Sequence, residues 1–252
     1  MNRPIISLKD VHLSIDGKPV LKGLSLDIYE GETMIIMGRS GCGKTVTLKV
    51  ILGLLKPDSG EVWVDGKEIT KLDQDELNEV RKKIGVLFQS SALFDSLTVG
   101  ENVAFMLNQH TDLPKEEIKK IVAEKLALVG MAGTEDMKPA QLSGGMRKRV
   151  GLARAIAMNP KIILYDEPTT ALDPITVSGI LRLIKGLHDK LGVTSVIVTH
   201  DIPSAFFLGS RIAMMHDGRI IEVGSPEEIK RSENPFVKAF LSGEPDAGEE
   251  MV

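Results

Sequence analysis

The run Gly38-Arg39-Ser40-Gly41-Cys42-Gly43-Lys44-Thr45 sets a glycine, four residues, and then Gly-Lys-Thr in order. This P-loop spacing suits a polyphosphate. Glycines let the backbone curl until consecutive N–H groups converge on one anion. Lys44 can then reach the β- and γ-phosphates of a nucleotide, and the Thr45 hydroxyl can ligate Mg²⁺. A second cluster closes the apolar run Ile162-Ile163-Leu164-Tyr165 with Asp166 and Glu167. Strand ends in open α/β sheets are where ligands bind. Asp166 can hold Mg²⁺, directly or through water, and Glu167 can polarise an attacking water as general base. Alone, such a run is often only a strand meeting solvent; downstream of a phosphate loop it points to nucleotide hydrolysis. Cys42 reads as a small filler of the loop.

Each cluster needs a strand to deliver it and, for the loop, a helix to receive it. Met34-Ile35-Ile36-Met37 is continuously apolar, as a parallel strand buried on both faces should be. Helical spacing runs from Thr45 to Leu54, so the loop opens a helix whose N-terminus favours anions. Alternating residues from Ile6 to Ile15 and from Leu24 to Ile28 predict strands around the turn Asp16-Gly17-Lys18-Pro19, and Glu61–Asp65 predicts another. Residues Thr98 to Gly130 read as mostly helical, with Pro114 in a first turn. A further helix is expected over Gly144–Met158. After it come strand Ile162–Tyr165, helix Val177–Leu191, strand Ser195–Thr199 and helix Ile202–Leu208. A hairpin of Ile212–His216 and Arg219–Glu222 closes on Asp217-Gly218. The expected fold class is therefore α/β.

The bulk numbers narrow the function. With 252 residues and 42% hydrophobic content, the chain can build one large α/β domain. Aromatics are 4% and the formal net charge is −4, which disfavours base-stacking and backbone-neutralising nucleic-acid binders. One cysteine fits a reducing compartment. No charged and then apolar leader opens the sequence, and no apolar run approaches the roughly 20 residues of a membrane span. A soluble, cytoplasmic chain is expected, with any membrane role reached through a partner.

Leu142-Ser143-Gly144-Gly145-Met146 resembles the signature sequence of ABC ATPases, usually Leu-Ser-Gly-Gly-Gln, with Met146 in the last place. Ser143 can also be an ordinary helix N-cap, and both readings can hold together. Gln89 is similar to the Q-loop glutamine, Ala171-Leu172-Asp173 to the D-loop, and His200 to the switch histidine. The resemblance spans about Ile5 to Leu241. It implies a P-loop NTPase of the ABC-ATPase fold: a mainly parallel RecA-like core sheet, an antiparallel β subdomain, and a helical subdomain inserted at about 93–155. Residues 242–252 would be an acidic, disordered tail. It also implies that Gly38 to Thr45 together with Gln89 and Asp173 bind ATP, and that Thr45, Gln89 and Asp166 hold Mg²⁺. Glu167 and His200 would be catalytic. Ser143, Gly144 and Gly145 would complete the ATP site of a second copy, making a homodimer. Ile15 stands about where such ATPases carry an aromatic over adenine, which implies modest discrimination between ATP and GTP.

Leu87-Phe88-Gln89-Ser90-Ser91-Ala92-Leu93-Phe94, Gln109–Pro114, Met146 and Asp173-Pro174-Ile175-Thr176 resemble the MlaF type, the ATPases of Mla and Mce-type phospholipid-transport systems. That type implies an MlaE-like transmembrane permease, a periplasmic lipid-binding MCE protein, a small STAS-domain partner, and a place on the cytoplasmic face of the inner membrane. The runner-up is the ATPase of an importer for another solute such as an amino acid. A soluble ABC ATPase outside transport, a kind that usually carries two nucleotide domains or a long coiled-coil insertion, is the less favoured expectation, since one domain accounts for the 252 residues. Leu93 and Phe94 are expected to face the permease, and Phe88 to belong to the core.

Overall fold

The computed structural model describes residues 3–244. They form two compact units: one takes the chain up to Leu72 and again from Val198, the other runs from Asp73 to Ile197.

In the first unit, β1 (Ile6–Ile15) and β2 (Lys18–Ile28) make an antiparallel hairpin. Asp16 and Gly17 close it, both at positive φ, the two-residue turn whose twist matches paired strands. β3 (Thr33–Met37) is buried at all five positions, as its apolar run predicts. The P-loop follows and leads into α1 (Lys44–Ile51). This helix stops short of the expected Leu54 because Gly53 takes a left-handed φ of 62° just past its end. β4 (Ser59–Val64) and β5 (Lys67–Glu68) complete an antiparallel sheet of order β2-β1-β4-β5.

The second unit opens with α2 (Gln74–Arg81), a helix that periodicity does not announce. Two of its residues, Leu77 and Val80, are buried; its signal is the capping box of Asp73 and Glu76. β6 (Ile84–Leu87) precedes three helices: α3 (Val99–His110), α4 (Lys115–Leu128) and α5 (Gly144–Ala155). Pro114 is the N-cap of α4 and lies just outside its first turn. α5 ends before the expected Met158, and Asn159 turns the chain at φ 50°. Val99, Val103, Leu107, Val122, Leu126 and Val150 form the core where α3, α4 and α5 pack. β7 (Ile162–Asp166) runs parallel to β6, in register from Ile84↔Ile162 to Leu87↔Tyr165. α6 (Pro174–Leu191) begins three residues before the expected Val177, because Asp173 caps it and Pro174 fits the first turn. β8 (Thr194–Thr199), buried throughout, carries the chain back into the first unit.

There α7 (Ile202–Leu208) packs on β3, and β9 (Arg211–His216) pairs with β3 in parallel. β10 (Arg219–Gly224) returns antiparallel to β9 through Asp217-Gly218, again both at positive φ. α8 (Pro226–Lys230) and α9 (Pro235–Ser242) finish the described chain. Parallel strand pairs, a separate antiparallel sheet, and helices placed between β6 and β7 in the chain make up the expected α/β architecture. The acidic tail expected over 242–252 lies, from residue 245 on, outside the described residues. No described helix is long and apolar enough to cross a membrane.

Candidate functional site

The phosphate loop is shaped by close approach. A Cβ at Gly38 would lie 2.2 Å from the Met215 carbonyl oxygen on β9 and 2.9 Å from Cys42 Sγ. Gly43, at φ 112°, would put a Cβ 2.8 Å from Met215 Cε. β9 is paired to β3 next to this point, through Met37↔Met214, so the loop is pressed against a fixed strand. Gly43 is the N-cap of α1, with no side-chain cap and no acidic residue in the first turn. The helix's own first turn thus adds no negative charge to its positive end, which suits an anion. Lys44 is buried, and its Nζ donates to the carbonyls of Gly38 at 2.8 Å and Arg39 at 3.0 Å. Its charge is held inside the curl of the loop. Cys42 is half-buried and its carbonyl accepts from Gly218 N, in keeping with a filler's role. In the same unit, His200 is exposed at the end of β8, just before Asp201, which caps α7 through Ser204 N. Ile15 is 38% exposed at the end of β1, so its apolar side chain is open to contact.

In the second unit, β7 carries Asp166 and delivers Glu167, both buried. Glu167 takes φ 46°, a left-handed conformation that costs a non-glycine residue about 1–3 kcal/mol. Such a conformation persists only where neighbours hold it. Thr170 N donates to the Glu167 carbonyl at 3.3 Å, and Lys148 Nζ donates to the same oxygen at 3.4 Å. Lys148 also donates to the carbonyl of Gln89, whose side chain is exposed in the loop after β6. Burial pushes the Lys148 ammonium below its ordinary pKa, while the Asp166 and Glu167 carboxylates oppose that shift. Further along the loop, Arg154 donates to the carbonyls of Ser91 and Ala92 at 2.6 Å each. These two residues are left-handed in succession, at φ 64° and 44°.

Ser143 caps α5, its Oγ accepting from Met146 N at 3.3 Å, and Ser143 and Gly144 are exposed. Ser143 therefore caps the helix at an exposed position. Gly145 needs to be small, since a Cβ there would meet Thr176 Cγ2 at 2.6 Å; at Gly144 it would meet Leu172 Cδ2 at 3.3 Å. The segment 143–145 therefore lies against 172–176. Asp173 caps α6 by accepting from Ile175 N and Thr176 N at 3.0 Å each. The Thr176 hydroxyl, and then these amides, hold the Asp173 carboxyl below its usual range.

Phe88 is not in the core: it is 36% exposed, because the chain has left β6 at Leu87 and the strand's buried run ends there. Leu93 is half-buried and Phe94 is 43% exposed. Phe94 sits on a firm mount. Its ring is 4.6 Å from that of Phe105, and the buried Asn102 side chain bonds both its N–H and its carbonyl. Sequence reasoning missed Asn102, Lys148 and Arg154. A signal existed for Lys148, which precedes Leu152 by one helical turn and so places a charge on the apolar face of α5.

The family model described as "ABC transporter" matches residues 21–170. The chain is 42% identical over 246 residues to the intermembrane phospholipid transport system ATP-binding protein MlaF of Haemophilus influenzae, covering 98% of this chain and 93% of that protein. It is 46% identical over 242 residues to the methionine import ATP-binding protein MetN of Carboxydothermus hydrogenoformans, covering 94% and 72% respectively. Among solved structures it resembles the dimeric post-hydrolysis state of the ATP-binding cassette MJ0796 bound to ADP and Pi. The TM-score is 0.80, with 41% identity over 88% of this chain and 98% of that one.

Proposed function

Because the chain belongs to the ABC transporter family, we propose that it is the ATP-binding and ATP-hydrolysing subunit of a transporter that moves phospholipid between bacterial membranes. The observation that carries this is the phosphate loop itself, with buried Lys44 folded onto the Gly38 and Arg39 carbonyls at the start of α1, whose first turn holds no acidic residue. Residues Gly38 to Thr45 cradle the phosphates, and Lys44 meets their charge. Thr45, Gln89 and Asp166 offer oxygen donors alone, a set that fits a hard cation such as Mg²⁺. When bound, Mg²⁺ supplies neutralisation of charge on the phosphate oxygens. Glu167 orients the attacking water and accepts its proton as the Oβ–Pγ bond breaks, leaving ADP and inorganic phosphate. His200 hydrogen-bonds the γ-phosphate. Ser143, Gly144 and Gly145 of one copy, with Asp173 beside them, close the site of the other copy, so the working unit is a homodimer.

The cassette spans 5–241, with a helical subdomain at about 93–155 and an acidic tail after it. Its partners are MlaE-like permease subunits, an MCE lipid-binding protein, and a small STAS-domain protein. It sits on the cytoplasmic face of the inner membrane, held there by the permease. The methionine-import relative favours a second reading, an importer for a small solute, and its identity is the higher of the two. The MlaF relative, aligned over 98% of this chain against 94% for the MetN one, favours lipid transport.

The test is to tag this chain, purify its complex from membranes, and reconstitute it between donor and acceptor vesicles carrying labelled phospholipid. ATP-dependent movement of the label supports the reading. A complex that binds an amino acid and leaves lipid in place supports the importer instead.

A further inference from the structure

The use of Lys148 is not explained by packing. Lys148 is 4% exposed, on a helix whose same face carries Leu152, and a lysine there gives up hydration that an apolar side chain would not need. What it gains is two acceptors. One is the carbonyl of Gln89, in the loop after β6; the other is the carbonyl of Glu167, at the end of β7. β6 and β7 are neighbours in register, so the loops that leave them emerge side by side, with α5 packed on β6. One side chain of α5 bridges the two.

We propose that Lys148 is a positioning residue for hydrolysis, tying the backbone that carries Gln89 to the backbone that carries Glu167. The inference rests on the ATPase reading above and adds a group to it. Two local features make the tie consequential. Glu167 is left-handed at φ 46°, so its carboxylate direction depends on bonds that fix its own peptide, and Lys148 makes one of them. The loop after Gln89 holds two more left-handed residues, Ser91 and Ala92, clamped by Arg154 from the same helix. α5 thus grips the start of the loop at two points, Gln89 and Ser91-Ala92, and through Lys148 it also grips the strand end that bears the base. A displacement of the Gln89 loop, where the permease would be felt, is transmitted to Glu167 through one ammonium. The helix that supplies the grip is capped by Ser143, so closure of a second copy's nucleotide onto Ser143 pulls on the same body.

The test compares Lys148→Met and Lys148→Arg with wild type in the intact transporter complex, reading ATP affinity, KM, kcat and the melting temperature. Methionine keeps length and apolar stem but loses both donors; arginine keeps N–H donors at the same depth. The expected result is ATP affinity and KM within about threefold of wild type for both, with kcat about 10- to 100-fold lower in Lys148→Met, the scale of a misplaced catalytic group. Lys148→Arg regains most of that loss. Wild-type kcat in Lys148→Met overturns the role. So does a loss in which affinity falls in step with kcat and arginine restores nothing, since that is general damage. Should Lys148→Met not fold, Lys148→Leu, which also lacks donors, decides by the same criteria. A wild-type complex that fails to hydrolyse ATP refutes the ATPase reading; one that hydrolyses ATP beside an unimpaired Lys148→Met refutes the positioning role alone.

Discussion

Replacing Gly38 by alanine tests how tightly the phosphate loop is set. The added Cβ would lie 2.2 Å from the Met215 carbonyl oxygen, and that oxygen belongs to a strand paired with β3. An ordinary carbon–oxygen contact needs about 3.4 Å, so loop or strand must move by about 1.2 Å. Overpacking of this kind costs about 1–3 kcal/mol, or about 3–10 °C in melting temperature for a chain of this length. The effect on ATP should be larger than the effect on stability, because the Gly38 carbonyl is one of the two oxygens that hold Lys44. Loss of one charge-assisted hydrogen bond to phosphate costs about 1.5–3 kcal/mol, which weakens binding about 10- to 100-fold. Gly17→Ala is the control: at φ 75° it is strained, yet a Cβ there meets nothing within 4 Å, and it lies in a surface turn. It should cost about 1–2 kcal/mol of stability and leave ATP binding unchanged. Thermal melting and titration with a fluorescent ATP analogue read both quantities. A Gly38→Ala protein that melts like wild type and binds ATP within twofold would refute the reasoning.

Ile15→Tyr should tighten ATP binding by about 2- to 10-fold, the worth of one ring contact, since Ile15 is partly open at the end of β1. Parallel titrations with ATP and GTP should show little preference in wild type, and a strong one would mean that other residues read the base. Phe94→Asp removes a ring that is 43% exposed and tilted against Phe105, so the lone subunit should still fold, melt within about 5 °C of wild type and bind ATP. It should fail to co-purify with the permease; unfolding of the lone subunit would make Phe94 a core residue, and undiminished co-purification would remove it from the contact.

What could be read from the sequence was what local patterns determine. β3, β7 and β8 showed as apolar runs because strands covered on both faces need no polar alternation. The Asp16-Gly17 and Asp217-Gly218 hairpins followed from residues that accept positive φ. The phosphate loop and the Asp166-Glu167 pair stood out because their chemistry fixes residue type and spacing together. Long-range placement was not legible. Phe88 looked like core because a strand precedes it, but its exposure depends on which later element covers the strand end. α2 hides behind two buried residues. The grip of Lys148 and Arg154 on the Gln89 loop joins residues about sixty positions apart, and no spacing rule anticipates it. The left-handed Glu167 has no sequence signal at all, since glutamate has no preference for that region.

The most direct measurement of the central claim is the steady-state ATPase rate of the intact complex carrying Glu167→Gln, set beside its ATP affinity. The substitution keeps the shape of the buried side chain and removes its capacity to accept a proton. The account predicts ATP binding within about threefold of wild type and turnover reduced by about 10²- to 10⁴-fold, the usual contribution of a general base. Wild-type turnover in that complex would contradict it.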